Sequence, residues 1–341
     1  MDMPVFEDMS IALNATQRAA IVDFNELVYK GELALRRVDK CFCGSVDLEL
    51  LSRCDRFGLP FGTQICKRCG LISQTIQIHP DSMQLFYEKI YWPLVLGKNA
   101  SDLPADAFVT KPKTDEASSY ILRCVKSLTK QVSIFEVGCG AGVRIARLKN
   151  ELTDLGFEVK AFGCDYSPDA LRQAQDKGIR IVEGGFEAIA QFGKADILIL
   201  SHLFEHLPDL GAALKQIDAL LHEKSLIYVE VPGVADLENK TEYDYNYQVY
   251  CVLAHTYNFS LQSLANVMAR GGFRLVEGDE YVRSIFMKGE RGGPEVSAYQ
   301  QITDALGRAH GKQAALAARR NRPAVKYART VAKALLGRPC A

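Results

Sequence analysis

One ten-residue stretch constrains the fold of this chain more than any other. The apolar run of Ser133-Ile-Phe-Glu-Val-Gly-Cys-Gly-Ala-Gly142 reads as a strand entering glycines 138, 140 and 142. The segment Val143-Arg-Ile-Ala-Arg-Leu-Lys149 then reads as a helix. Glycines at this spacing let the backbone turn sharply and approach a ligand, at which the free N–H groups of the helix start are aimed. A second acid follows 23 residues past Gly142: Asp165, closing Val159-Lys-Ala-Phe-Gly-Cys-Asp. An acid at a second strand end, about 20 residues past such a loop, is how a doubly wound α/β fold grips a ribose diol. A nicotinamide-type fingerprint is excluded, because its third glycine falls three residues after the second. Here it falls after two, and position 143 is Val.

Further segments extend the pattern. Asp165-Tyr-Ser-Pro-Asp169 offers a Ser N-cap and a Pro at the first helical position. Ala195-Asp-Ile-Leu-Ile-Leu200 reads as a fourth strand ending in Ser201-His-Leu-Phe-Glu-His-Leu-Pro-Asp209, and Leu226-Ile-Tyr-Val-Glu-Val-Pro-Gly233 as a fifth. His255-Thr-Tyr-Asn-Phe-Ser260, followed by a helix to Gly271-Gly-Phe273, reads as the last helix before a terminal strand pair. As a set, from roughly 115 to 290, these segments resemble the class I S-adenosylmethionine (SAM)-dependent methyltransferases. The resemblance implies an α/β, Rossmann-like, seven-stranded domain. It also implies a SAM site built from Glu136, Gly138, Gly140, Gly142, Asp165, Tyr166 and His202, with Glu136 meeting the cationic methionine end. Where the family often carries an acid for the adenine amino group, this chain reads Glu183-Gly-Gly-Phe186, so adenine contacts are expected from backbone and Phe186.

Four of the ten cysteines form a second pattern. Cys41-Phe-Cys43-Gly44 is followed after 22 residues by Cys66-Lys-Arg-Cys69-Gly70. Two cysteine pairs on glycine-ended turns describe a structural zinc site of Cys41, Cys43, Cys66 and Cys69. Cys54 lies away from either turn and is left out, and Cys124, Cys139, Cys164 and Cys251 read as small buried hydrophobes. The second pair, together with Phe86-Tyr-Glu-Lys-Ile-Tyr-Trp92, resembles the zinc-ribbon methyltransferases of bacterial surface-polysaccharide and sugar-tailoring pathways. That resemblance implies a sugar or glycan acceptor, nucleotide- or lipid-linked. Sugar C-methylating relatives carry a long further domain, whereas about 50 residues follow the last strand pair here. The expectation is therefore O-methylation, with C-methylation and RNA methylation as alternatives.

At 341 residues and 48% apolar content, the chain has room for one α/β domain and a smaller module. The reading divides it into a helical arm (1–37), the zinc module (38–80), a linker and cap (81–114), the SAM domain (115–293) and a basic helical tail (294–341). No run approaches the ~18 apolar residues of a membrane span, and the acidic start lacks a signal pattern, so a cytoplasmic location is expected. Net charge is zero, yet nine basic residues and no acid lie from Ala305 onward. A basic tail invites peripheral membrane contact. Nucleic acid is disfavoured, since charge confined to one terminus of an acidic body makes a poor continuous track.

Methyl transfer to a hydroxyl requires alignment and an outlet for the proton. His202-Leu-Phe-Glu205-His206 follows the fourth strand, where such folds place chemistry. On one helical turn these three side chains would share a face, with His255 available from downstream. Three readings stand. Glu205 and His206 order the loop while His202 touches the cofactor; His206 or His255 is a general base; or His202, Glu205, His206 and His255 hold magnesium or manganese. The last resembles plant small-RNA 3′-terminal 2′-O-methyltransferases and some quinone O-methyltransferases. The base reading is placed first. The tyrosine-rich insertion between Pro232 and Phe259 is expected to form the acceptor wall.

Overall fold

A computed structural model of the chain describes residues 11–98, 116–167, 171–172, 177–293 and 295–320. Residues 99–114 of the expected linker and cap, Pro168 and Asp169, and the tail beyond Arg320 lie outside these residues.

The strands are β1 (Leu35–Arg37), β2 (Leu48–Ser52), β3 (Thr63–Cys66), β4 (Ile72–Gln74), β5 (Ile76–Ile78), β6 (Gln131–Val137), β7 (Glu158–Asp165), β8 (Arg180–Glu183), β9 (Ala195–Ser201), β10 (Leu221–Glu230), β11 (Tyr257–Asn258), β12 (Phe273–Gly278) and β13 (Arg283–Lys288). Seven of them form one sheet in the order β12-β13-β10-β9-β6-β7-β8. The five from β10 to β8 run parallel, and β13 closes the other edge antiparallel to β10 and β12. Parallel strands buried on both faces read as unbroken apolar runs, which is why Ile134-Phe135 and Ile197 to Leu200 are legible in the sequence. Ile134, Ile197, Ile199 and Leu226 pack towards the helices Glu116–Cys124 and Val143–Asp154. Phe135, Leu198, Leu200 and Ile227 face the helices Leu210–Ala219 and Leu261–Arg270. The strand order reverses between β6 and β9, so the loops after Val137 and Ser201 open side by side at the carboxyl edge. Such a switch point is where these folds bind ligands.

The cysteine-bearing strands β2, β3 and β4 make an antiparallel sheet whose fourth strand, β11, comes from the insertion after β10: Tyr257 pairs with Ser73 and Asn258 with Ile72. The helix Tyr299–Arg320 packs on the same sheet, burying Ile302, Ala305, Leu306 and Ala309 with Leu51, Ile65, Ile72, Tyr247 and Tyr250. Arg308 and Lys312 pair with Glu238, and Arg320 with Asp244, so three of the nine late basic residues clamp this helix to the insertion. The helix Ala15–Tyr29, with a reciprocal Asn14–Gln17 cap, buries Ala20 and Phe24 against Phe61, Phe86, Leu94 and Val252 to Ala254.

The expected tyrosine wall is corrected by these contacts. Tyr247 and Tyr250 are only 3% and 1% exposed and fill the core between insertion and cysteine sheet. Tyr247 donates to Thr63 Oγ1 at 2.9 Å, and Tyr250 to the Pro232 carbonyl at 2.6 Å. Large amphipathic rings gain more by burial with one satisfied hydroxyl than by lining water.

Gly70 is a sharp test of this docking. Its φ is +81°, and a Cβ there would stand 2.5 Å from the Ala298 carbonyl carbon and 2.6 Å from the Tyr299 nitrogen. Gly70→Ala is expected to destabilise by more than the ~1–2 kcal/mol of left-handed strain alone, read by denaturant unfolding. Unchanged stability would show that the helix does not seat on this turn.

Candidate active site

On the cofactor side, Gly138, Gly140 and Gly142 all have positive φ (72°, 50° and 67°), and Gly142 starts the helix Val143–Asp154. Asp165, at the end of β7, accepts from the Gly140 N–H through Oδ2 and from the Ser167 N–H through Oδ1, both at 2.8 Å. The acid expected to hold a ribose therefore also fastens the glycine loop. Each carboxylate oxygen has a second lone pair, leaving acceptor capacity for vicinal hydroxyls. Tyr166 is 74% exposed beside this edge, whereas the Phe186 ring is 7% exposed and packs in the core with Ile189.

Glu136 is buried, and Arg144 bridges it to Glu230 at 3.5 and 3.3 Å. Ser201 Oγ donates to Glu230 at 2.9 Å, and His202 Nε2 lies 3.9 Å from the other Glu230 oxygen. An ionic rail thus runs from the end of β6 to the end of β10, across the mouth of the switch point.

His202 departs from the expectation of a shared helical face. Its φ is +50°, a conformation that costs a non-glycine residue and collects at functional sites. Only Phe204–His206 forms a single 3₁₀ turn. The ligating atoms of Glu205, His206 and His255 lie within 4.8 Å of one another, and His202 is outside that group. It instead approaches Glu205 Oε1 at 3.5 Å while its side chain stays 53% exposed. Burial alone would lower the His202 pKa, but Glu205 and the Glu230 charge raise it above the usual imidazole value.

The convergent trio is built from acceptors. His206 Nδ1 lies 3.0 Å from the Ala254 carbonyl, which can only accept, so Nδ1 carries the proton and Nε2 presents a lone pair. That Nε2 is 3.8 Å from Glu205 Oε1. Both Glu205 oxygens and His255 Nδ1 are buried without a hydrogen-bond partner, and the two imidazoles meet edge to face at 4.9 Å. Burial lowers His206 and pushes His255 down to about 3, so both rings are neutral bases near pH 7. Burial pushes Glu205 upward, but the His202 contact holds it below the ordinary carboxylate value. A buried carboxylate between two imidazoles, with lone pairs facing inward, suits a transferred proton or a divalent cation.

Three contributors were missed in the sequence. Tyr87 Oη lies 3.3 Å from His206 Nδ1, and the Tyr87 and Tyr91 rings are 4.9 Å apart on a wide π-type turn, Tyr87–Tyr91. The Glu205 charge reaches both phenols. Arg56 donates to the Tyr250 and Cys251 carbonyls just ahead of His255. The available signal was the Tyr-x-x-x-Tyr spacing within Phe86–Trp92, which places both hydroxyls on one side of a helical turn.

The four cysteines of the small sheet meet in a second cluster. Cys41 and Cys69 sulfurs are 3.6 Å apart, as are Cys43 and Cys66, and all four lie within 4.8 Å. Tetrahedral Zn–S bonds of ~2.3 Å require sulfurs ~3.8 Å apart, so the donor set fits zinc. Gly44 and Gly70, at φ +90° and +81°, complete the two turns. Cys54 sits elsewhere, accepting from Gln248 Nε2.

Residues 111–278 match a family model described as a methyltransferase domain. The C-methyltransferase NovU of Streptomyces niveus is 24% identical over 224 residues, covering 64% of this chain and 47% of that protein. The chain thus spans about half the length of that curated relative. Among solved structures, a LepI variant in complex with SAH and a substrate analogue has a TM-score of 0.43 at 18% identity, over 54% of this chain and 51% of that one. A SAM-dependent methyltransferase from Clostridium acetobutylicum has a TM-score of 0.40 at 13% identity, over 61% of this chain and 99% of that one. The glycine loop, Asp165 and six of the seven strands of the sheet fall within the span that matches the methyltransferase-domain model.

Proposed function

We propose that the chain methylates a hydroxyl of a sugar-type acceptor, with His206 or His255 taking the hydroxyl proton. The observation that carries this reading is the trio of buried Glu205 and half-buried His206 and His255, whose ligating atoms lie within 4.8 Å of one another. SAM supplies an electrophilic sulfonium methyl. The Gly138–Gly142 loop and Asp165 hold the nucleoside end, while Glu136 and the Arg144–Glu230 rail face the methionine end. As the acceptor oxygen bonds to the methyl, its proton passes to an imidazole and the S–CH3 bond breaks. Glu205, kept anionic, stabilises the imidazolium that forms, and the Ala254 carbonyl fixes the His206 tautomer.

A carbon acceptor is the second reading, favoured by the relative named a C-methyltransferase. The same base would then remove a C–H proton activated by a neighbouring carbonyl. Carbon-13 NMR of product formed from methyl-labelled SAM and a panel of sugar nucleotides separates the two, since O-methyl and C-methyl carbons resonate in distinct regions. A C-methyl product would overturn the O-methyl reading. A product formed only on RNA would overturn both.

Three outcomes are expected. Asp165→Ala should weaken SAM binding by about 1–3 kcal/mol, measured by calorimetry; unchanged affinity would remove Asp165 from the cofactor site. His206→Ala and His255→Ala should each cut turnover by ~10²-fold or more while SAM affinity holds. Full activity in both would exclude a base or metal role for the pair. If the trio instead holds magnesium or manganese, EDTA abolishes activity and magnesium alone restores it; a base is indifferent to both. Finally, we assign one structural zinc to Cys41, Cys43, Cys66 and Cys69. Elemental analysis of chelator-free protein should find one zinc per chain, lost in Cys69→Ser and kept in Cys54→Ser.

A further inference from the structure

We infer that Arg56 receives an oxyanion, a phosphate or carboxylate, carried by the acceptor close to the atom that is methylated. The inference rests on the functional reading above and adds the charge class of the substrate. Arg56 follows β2 in the cysteine sheet. Its backbone N–H donates to the Cys251 carbonyl at 3.1 Å, its Nε to the same carbonyl and its Nη2 to that of Tyr250, both at 3.3 Å. The guanidinium is thereby fixed against the segment that delivers His255, with the Phe57 and Tyr243 rings 6.0 and 5.9 Å from its carbon. The two carbonyls it holds lie five and four residues before His255.

What this guanidinium lacks is a carboxylate in direct contact, since the neighbouring Asp55 charge reaches it only through space. Among the described residues no carboxylate comes within ion-pair distance of it, whereas the partly buried Arg144 and Arg283 each have one. The adjacent Asp55 makes no contact with it: Oδ1 accepts from the Phe57 and Leu59 N–H groups at 3.0 and 2.9 Å, and the buried Oδ2 has no hydrogen-bond partner. Burial also raises that carboxyl to about 7. Two of the five guanidinium N–H donors are spent on carbonyls, which leaves a planar set matched to a bidentate oxyanion. A partly buried cation held only by neutral dipoles is costly, and an anionic ligand supplies the missing charge.

The test is direct binding to the zinc-replete, SAH-loaded full chain, followed by calorimetry with glucose 1-phosphate, glucuronate and glucose as probes. At least one anionic probe should bind more than about tenfold tighter than glucose, and which one does identifies phosphate or carboxylate as the source. Arg56→Gln should abolish that preference, and Arg56→Lys should retain part of it, while SAH affinity stays unchanged. Equal binding of anionic and neutral probes by the wild type overturns the inference. So does an Arg56→Gln variant that keeps the preference. Should Arg56→Gln fail to fold, the wild-type comparison and the Arg56→Lys variant still decide. Because no turnover is read, a chain that prefers anions yet methylates no hydroxyl would keep this inference and overturn the functional one.

Discussion

The working geometry hangs on two backbone pairings, Tyr257 with Ser73 and Asn258 with Ile72. They tie the insertion after β10 to the cysteine sheet, and His255 lies two residues before the first of them. A two-residue strand is weak alone. It is held here because β4 follows the Cys66–Cys69 turn, where the Cys69 carbonyl accepts from the Ala298 N–H at 3.1 Å and from Asn266 Nδ2 at 3.4 Å. Cysteine turn, catalytic-domain helix and C-terminal helix thus meet at one carbonyl. A shift in the cysteine cluster would pass through β4 to His255, so a structural metal there would set the position of a proton acceptor.

The site keeps its charges on two levels. Nearer the glycine loop, Glu136 and Glu230 share the one Arg144 charge. Deeper, Glu205 faces two imidazoles that burial keeps neutral, and among the described residues Arg56 has no carboxylate at ion-pair distance. Buried polar groups left short of partners are expensive, and active sites are where folds retain them.

The central sheet was legible because five buried parallel strands cannot be written without continuous apolar runs, and because glycines 138, 140 and 142 have a backbone reason to be glycine. The same reasoning found Asp165, whose distance from the loop follows from one strand-helix-strand unit. It found the four sulfurs, since each pair is local and glycine-ended. It went astray where local pattern gave two answers. The pentad His202–His206 fits a helical face, yet the chain leaves β9 through a left-handed His202 and turns only once. The tyrosines of the insertion suit a wall as well as a core, and burial against the cysteine sheet chose the core.

Sequence alone therefore determined the fold class, the cofactor loop and the sulfur cluster, because each is set by short-range spacing and strand periodicity. Tertiary structure decided which side chains gather around His206 and His255. Tyr87 reaches His206 across 119 positions, and Arg56 reaches the Tyr250 carbonyl across 194. Contacts at such separations arise only when the N-terminal segments and the insertion are packed against each other, and no local periodicity encodes that meeting.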